Sequence, residues 1–405
     1  MVNAIEVVQC GKKKGQRCSV KTFGVEQAQK AYRFHKTFPE YSETPLWELK
    51  NLASDLGVAS IYIKDESYRF GLNAFKVLGG SYCIGNYIAE QLGIAIDVLS
   101  YEKIIEEEVK NRLGNLTFVT ATDGNHGRGI AWTAQKFGYK SVVYMPKGTT
   151  LERLNNIKEL GSEAAVTQLN YDDTVQWAEK IAQKNGWILV QDTSWEGYEK
   201  IPEWIMKGYT TMAYEVLKQL KNEKPTHIFL QAGVGAMAGA IAGFFADAYG
   251  EKDKPMIIIV ESNQADCIFR TAQASDGRLH EVNGALDTIM AGLACGKPCS
   301  IGWEILQDYA ESFMAVPDYV AAKGMRILGN PVGDDSRIIS GESGAVTLGV
   351  VAELMQNRNF EQIRKQLKLD RNSKILCFST EGDTDRENYR RVVWDGLYSN
   401  PVGTL

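Results

Sequence analysis

From about residue 60 almost to the end of the chain, short and nearly continuous apolar runs alternate with helical patterns. Runs such as IIIV and ILCF lack polar–apolar alternation, so they indicate strands that are buried on both faces. Alternation with helices predicts parallel sheets covered by helices. The predicted strands are Ile61–Lys64, Thr117–Thr120, Ser141–Met145, Ile188–Gln191, His227–Gln231, Met256–Glu261 and Lys374–Phe378. Helical patterns between them include Gly127–Phe137, Thr150–Leu160 and Asp172–Lys184.

The length and charge of the chain narrow the class of protein. A chain of 405 residues exceeds what one hydrophobic core normally spans, so two domains are expected. No apolar run approaches the ~20 residues that a membrane helix needs. The formal net charge is −5 and KKK at 12–14 is an isolated run, which argues against a nucleic-acid-binding surface.

Cysteine and histidine usage argues against a secreted or metal-dependent protein. The 7 cysteines are sparse, odd in number and never spaced as C-x-x-C, which is typical of a reducing compartment. No secretion signal is visible at the start, so we expect a cytoplasmic protein. The 4 histidines form no H-E-x-x-H pattern, and no metal is expected.

One lysine lies in an apolar segment, SYRFGLNAFKVLGGSY at 67–82. Lys76 stands between Phe75 and Val77 where a helix opens, and burial is expected to remove its charge. A neutral amine is the nucleophile that forms a Schiff base with an aldehyde cofactor. The alternative is a lysine whose stem only covers apolar surface.

The segment FVTATDGNHGRGIAW at 118–132 predicts a strand followed by a helix start. Free backbone N–H groups at such a start favour an anion, here a substrate carboxylate, and Asn125 adds a side-chain amide. Alternatively, Thr122 and Asp123 only cap the helix.

The segment HIFLQAGVGAMAGAIAG at 227–243 predicts a strand, a small-residue loop and a helix, which is an arrangement that cradles phosphate. The triphosphate motif G-x-x-x-x-G-K-[ST] is absent, and Gly233, Gly235 and Gly239 do not have dinucleotide-loop spacing. A single phosphate is therefore favoured, with close helix packing as the alternative.

A fourth segment, KILCFSTEGDTD at 374–385, places Ser379 and Thr380 after a buried strand. These hydroxyls could meet a ring nitrogen, or they could form an ordinary turn or helix cap.

The order of these segments resembles the fold-type-II pyridoxal phosphate (PLP) enzymes, which include tryptophan synthase β-chain, the serine and threonine dehydratases and cysteine synthase. More narrowly, the chain is similar to the diaminopropionate ammonia-lyase family in NAFKVLGGSY, TDGNHGRG, VQDTSWEGYEKIP, QAGVGAMAG, MAGLACG and ESGAV. The resemblance implies an α/β fold with two open, twisted, mainly parallel sheets flanked by helices and the cofactor in the cleft between domains. It also implies elimination of ammonia from 2,3-diaminopropionate in amino-acid catabolism.

The resemblance further implies the cofactor contacts. Lys76 would hold PLP as a Schiff base, Asn125 would hydrogen-bond its phenolic oxygen, and Ser379 or Thr380 would face the pyridine nitrogen. The phosphate cup would be lined by Gly233, Val234, Gly235, Ala236 and Met237.

Two carboxylates distinguish the implied substrate. Dehydratases usually have Ser-Ala before Gly-Asn-His, whereas this chain has Thr122-Asp123. A carboxylate there would bind the second ammonium of diaminopropionate, and Asp192 would be another unless it only caps a turn. Lys76, Asp123 and Asp192 are thus expected to be catalytic, and Lys76 and Asp123 would act as bases for opposite enantiomers. The expected substrate contacts are Thr122, Asp123, Gly124, His126 and Asp192.

Two alternatives and several secondary expectations remain at this stage. A serine or threonine dehydratase of broad specificity shares most of the pattern, while a PLP-binding protein without catalysis would have no need of Lys76. We expect a large PLP-binding domain at 1–85 and 205–405, a small domain at 86–204, and a homodimer. Spacing does not show whether Cys267 and Cys295 form a disulfide.

Overall fold

A computed structural model describes residues 5–9, 17–122 and 124–400 of the chain. The strands are β1 Glu6–Gln9, β2 Leu46–Glu48, β3 Ser60–Asp65, β4 Thr117–Ala121, β5 Lys140–Met145, β6 Glu163–Val166, β7 Ile188–Leu189, β8 His227–Gln231, β9 Met256–Ser262, β10 Ser312–Val316 and β11 Lys374–Ser379. The helices are α1 Val25–His35, α2 Lys50–Leu56, α3 Val77–Leu92, α4 Tyr101–Ile104, α5 Glu107–Leu113, α6 Asn125–Phe137, α7 Leu151–Lys158, α8 Tyr171–Asn185, α9 Lys200–Leu220, α10 Ala236–Asp253, α11 Cys267–Ala274, α12 Ser300–Tyr309, α13 Asp318–Gly329, α14 Glu342–Gln356, α15 Glu361–Leu367 and α16 Arg386–Val393. Short 3₁₀ helices lie at Lys21–Phe23, Glu66–Gly71, Ile96–Val98, Ala291–Leu293 and Arg358–Phe360.

Within the described residues the strands form two sheets. The larger has seven strands in the order β1-β10-β9-β8-β11-β3-β2, and the smaller has four in the order β6-β5-β4-β7. Only the outer pairs β1/β10 and β2/β3 are antiparallel among these pairings. The predicted α/β fold with mainly parallel sheets flanked by helices is confirmed.

All seven predicted strands are present, with ends that differ by at most two residues. The strands β1, β2, β6 and β10 were missed. Three of them lie at sheet edges, where partly exposed residues make a weak apolar signal. The fourth, β10, is buried throughout, but the run SFMAV has few β-branched residues and reads equally well as part of a buried helix.

Glycines let three helices approach closely around the start of α3. A Cβ on Gly129 of α6 would lie 2.8 Å from the Cα of Val77, and one on Gly208 of α9 would lie 2.3 Å from the carbonyl oxygen of Leu78. Because both contacts are with backbone, a larger residue at either position would force α3 to move. The residue before α3 is therefore held by tight packing against α6 and α9.

The strands of the smaller sheet lie between residues 117 and 189, and those of the larger sheet lie on either side. The expected domain boundaries, after residues 85 and 204, both fall inside helices, α3 and α9. They stay a prediction. In the part of the chain that the structure describes, no helix has the length and apolar character to cross a membrane.

Candidate active site

A cavity lies where loops after strands of both sheets meet. The loops follow β4 and β7 of the smaller sheet and β8 and β11 of the larger one, so the cavity lies beyond the carboxyl ends of parallel strands. Its lining residues are Phe75, Lys76, Asn125, Asp192, Tyr209, Gln231, Ala232, Gly233, Val234, Gly235, Ala236, Met237, Ala238, Gly292, Leu293, Cys295, Ser343, Thr380 and Glu381.

Lys76 enters this cavity from the residue immediately before α3. The segment ahead of it pairs with the loop after β11, since the backbone N–H of Phe75 donates to the carbonyl oxygen of Thr380 at 3.1 Å. A bridge between Ala74 and Glu381 adds to this pairing. The lysine is thus fixed from one side by the larger sheet and from the other by helix packing.

Lys76 forms an ion pair with Asp192. Its Nζ lies 2.7 Å from the Oδ2 atom of Asp192, and the two side chains are 18% and 6% exposed. Burial by itself would raise the pKa of Asp192, but the charges of Lys76 and His126 outweigh it and lower this pKa to about 2. We expected burial to remove the charge of Lys76; the carboxylate at 2.7 Å acts in the opposite direction, because it stabilises the ammonium form.

A buried charge network supports the segment that leads to Lys76. The guanidinium of Arg69 donates two parallel hydrogen bonds of 2.8 Å to Glu215 and two more of 2.8 Å to Glu66. Lys64 contacts Glu215 at 2.6 Å. Burial would raise the pKa of Glu215, yet Arg69 and Lys64 lower it to about 2. Each charged side chain of this buried network therefore has a partner of opposite charge.

The loop between β8 and α10 forms the glycine-rich wall of the cavity, as the sequence predicts. Gly235 has φ +88, a conformation that a side chain rarely adopts, and it directly precedes α10. A Cβ on Gly233 would lie 3.2 Å from the Sγ of Cys295 and would narrow the space. The first N–H groups of an 18-residue helix thus face an open cradle.

Close helix packing, the alternative considered for this loop, also occurs. A Cβ on Gly239 would lie 2.8 Å from the Cα of Gly302 in α12. The small residues of this segment therefore have two roles. Residues 233–237 line the cavity, and Gly239 in the next helical turn allows close packing against α12.

The side chain of Asn125 donates to Glu381 at 2.5 Å, and both residues line the cavity. Of the two hydroxyls after β11, only that of Thr380 is in the cavity lining. The Oγ of Ser379 donates instead to the Oγ of Ser340 at 2.8 Å.

The expected substrate contacts are only partly brought together. Thr122 is buried, and its hydroxyl accepts the N–H of Gly124 at 3.0 Å. The buried Nε2–H of His126 donates to the carbonyl oxygen of Val190 at 2.8 Å, and Nδ1 lies 3.8 Å from Asp192. His126 thus lies behind Asp192, outside the cavity lining. Asp123 lies outside the described residues.

Several lining residues were not predicted. Glu381 directly follows the predicted Ser379-Thr380 pair, and Gln231 ends a predicted strand, so the rule that ligands bind beyond strand ends could have found both. Tyr209 lies inside α9, where no local signal marks it. Cys295 also lines the cavity, and it does not form a disulfide with Cys267 in the structure.

Unpaired polar atoms in the wall fit a polar cofactor. Among the described residues, the Tyr209 hydroxyl, Gln231 Oε1 and Ser343 Oγ are buried without a hydrogen-bond partner, and all three residues line the cavity. Buried polar groups are normally paired. Together with the glycine cradle and a lysine amine, they suit the phosphate, ring and aldehyde of PLP.

Comparison with known proteins agrees with this fit. The family model for pyridoxal-phosphate dependent enzymes matches residues 37–367. The chain is 50% identical to the diaminopropionate ammonia-lyase of Salmonella typhimurium, over 90% of this chain and 91% of that protein. The crystal structure of the holo enzyme from Escherichia coli is similar, with a TM-score of 0.92, 46% identity and coverage of 99% of this chain and 100% of that one.

A second Escherichia coli structure, in complex with an aminoacrylate-PLP azomethine reaction intermediate, has a TM-score of 0.90 and 47% identity. It covers 98% of this chain and 99% of that one. The chain therefore belongs to the pyridoxal-phosphate dependent enzymes and, within them, to the diaminopropionate ammonia-lyase family.

Proposed function

We propose that this protein is a PLP-dependent lyase that eliminates ammonia from 2,3-diaminopropionate. With one water molecule consumed, the products are pyruvate and two molecules of ammonia. The observation that carries the proposal is the Lys76–Asp192 pair, which faces a glycine-rich cradle in a chain 50% identical to a diaminopropionate ammonia-lyase over 90% of its length.

The residues that would hold the cofactor surround the cavity. Lys76 would bind its aldehyde carbon, Asn125 its phenolic oxygen and Thr380 its ring nitrogen, while residues 233–237 would hold the phosphate. Bound PLP supplies an electron sink for the pair that remains when the Cα–H bond breaks.

Lys76 and Asp192 would divide the proton chemistry. The Nζ of Lys76, once released and neutral, would take the Cα proton. Beside the Lys76 ammonium Asp192 is ionised, because the charges of Lys76 and His126 lower its pKa to about 2, and it can hold a cation in this buried place. When Lys76 is no longer an ammonium, a buried Asp192 carboxylate would lack a cation to stabilise its charge. The β-ammonium of diaminopropionate would take that place. An amine held as the ammonium leaves more readily than a neutral amine.

Asp123 is proposed as the second base, acting on the enantiomer that presents its Cα proton to the opposite face. This role would let both the D and the L isomer react. Asp123→Asn should therefore reduce turnover of one enantiomer far more than the other, and should reduce diaminopropionate turnover more than serine turnover. Equal losses on D-diaminopropionate, L-diaminopropionate and serine would contradict the assignment.

The proposed function is tested by Lys76→Ala beside the matched control Lys207→Ala, a half-buried lysine of α9 that pairs with Glu203. The wild-type and control holoenzymes should absorb at ~420 nm, as PLP Schiff bases do, and convert diaminopropionate to pyruvate. Lys76→Ala should lose both properties. Retention of the band together with activity in Lys76→Ala would refute the proposal.

We also propose that the enzyme is a cytoplasmic homodimer. Sparse cysteines that form no disulfide among the described residues support a reducing location: Cys18, Cys83, Cys267, Cys295, Cys299 and Cys377. The dimer rests on family resemblance. Light scattering of the purified holoenzyme gives the subunit number directly, and a monomer at micromolar concentration would contradict the dimer.

A further inference from the structure

The side-chain amide of Gln231 has a defined orientation. Gln231 ends β8, is only 1% exposed and lines the cavity. One side-chain atom lies 2.9 Å from the carbonyl oxygen of Phe378. Because a carbonyl oxygen can only accept, this atom must be the NH₂ group, Nε2. The amide cannot be flipped without placing two acceptors against each other.

This orientation also determines the role of the Thr380 hydroxyl. The Nε2 of Gln231 lies 2.8 Å from the Oγ1 of Thr380, so that oxygen accepts the second amide proton. The hydroxyl proton of Thr380 must then point elsewhere, and no described residue lies in place to accept it. Since Thr380 lines the cavity, its hydroxyl is prepared to donate to a ligand there.

We propose that Gln231 is a positioning residue that presents the Thr380 hydroxyl as a hydrogen-bond donor to the ring nitrogen of PLP. The inference rests on the proposed function, because it requires PLP on Lys76. A hydroxyl that donates needs a lone pair on its partner. It therefore fits an unprotonated pyridine nitrogen and not a pyridinium N–H, and it keeps the ring in its neutral form.

Ser379 does not compete for this role. Its hydroxyl is buried and donates to Ser340, a residue outside the cavity lining. Ser379→Ala is therefore the matched control for Thr380→Val, since each removes one hydroxyl from adjacent positions at the end of β11.

The experiment measures the ring nitrogen directly, by solid-state ¹⁵N NMR of holoenzymes loaded with ¹⁵N-labelled PLP. The wild type should give the shift of an unprotonated, hydrogen-bonded pyridine. Thr380→Val and Gln231→Met should both move it towards that of a pyridine without a hydrogen bond. The double variant should move no further than Thr380→Val, because Gln231 acts through Thr380. Thr380→Ser keeps a hydroxyl at this position and should therefore give the wild-type shift. Ser379→Ala should also leave the shift unchanged, because the Ser379 hydroxyl donates to Ser340.

The dissociation constant of PLP gives a second readout that does not depend on turnover. It should rise about tenfold in Thr380→Val and in Gln231→Met, as expected for one lost hydrogen bond. If Gln231→Met does not fold, Gln231→Leu replaces it: it also removes the amide that donates to Thr380 and should produce the same change in shift.

Two kinds of failure are distinguishable. If the wild type takes up no PLP on Lys76 or does not consume diaminopropionate, the proposed function fails. If the loaded wild type is active but its ring nitrogen is protonated, or if the ¹⁵N shift is the same in the wild type, Gln231→Met and Gln231→Leu, only the role of Gln231 is overturned.

Discussion

Glu342 should make folding stability depend on pH near neutrality. This carboxyl opens α14, is 5% exposed and accepts a hydrogen bond from Asn388. Burial and the neighbouring charge of Glu381 raise its pKa from 4.5 to about 7, although its own backbone N–H, Asn388 and Arg153 oppose the rise. In the folded protein Glu342 therefore keeps its proton to a higher pH than in the unfolded chain.

The sign and size of the effect follow from proton linkage. Between pH 4.5 and about 7 the folded state binds a proton that the unfolded state has lost, so stability falls as pH rises through this window. At about 1.4 kcal/mol for each tenfold change in the proton equilibrium, the loss is about 3 kcal/mol by pH 8. Glu342→Gln keeps an acceptor for Asn388 and removes the charge, so it should not show this loss.

The assay compares thermal unfolding midpoints of wild-type and Glu342→Gln holoenzymes from pH 5 to pH 8.5. The variant should gain on the wild type as pH rises, with half of the gain by about pH 6 and little further gain above about pH 7. The exposed Glu108→Gln serves as the control and should track the wild type throughout. A constant difference between wild type and Glu342→Gln across the range would show that Glu342 is already ionised at pH 5 and would refute the reasoning.

Three further predictions follow from contacts around Lys76. Asp192→Asn removes the carboxylate that lies 2.7 Å from Lys76, so kcat should fall at least ~100-fold while the ~420 nm band persists; a loss of only a few-fold would contradict its catalytic role. Gly129→Ala places a methyl group 2.8 Å from the backbone of α3, which should cost about 1–3 kcal/mol in urea unfolding and weaken PLP binding. Unchanged PLP binding would show that α3 accommodates the methyl group without displacing Lys76, which directly precedes it. Glu215→Gln leaves two buried cations with one fewer carboxylate and should destabilise the protein by about 3–5 kcal/mol, whereas a change near zero would mean that the network is not ionised.

Sequence patterns predicted the parts of the site that are encoded locally. The glycine-rich loop that lines the cavity at 233–237 and the hydroxyl of Thr380 each follow a buried strand, and a strand that leads into a polar or glycine-rich loop can be recognised within about a dozen residues. Lys76 was found because a lysine among apolar neighbours is unusual at a helix start. Each of these segments carries its signal in its own composition.

Features that depend on distant pairing were not predictable in the same way. Arg69 and Glu215 lie 146 positions apart, and Asn125 and Glu381 lie 256 apart. These contacts form only when the chain has folded and distant helices and strand ends lie together. No short segment of the sequence contains both partners, so no local pattern predicts them. The orientation of Gln231 likewise depends on Phe378, a residue on the neighbouring strand β11.

The charge of Lys76 shows why burial alone is a poor guide to the chemistry of a side chain. An isolated buried amine would lose its proton, but Asp192 lies close enough to stabilise the ammonium and is itself ionised, with a pKa of about 2. In the proposed reaction this carboxylate would exchange one cation for another, so that arrival of the substrate's ammonium would be coupled to release of Lys76 as a neutral base. With Lys76 beside it as an ammonium, Asp192 has a pKa of about 2, whereas burial alone would raise this pKa, so Asp192 stays ionised during the proposed reaction only if another cation takes the place of Lys76.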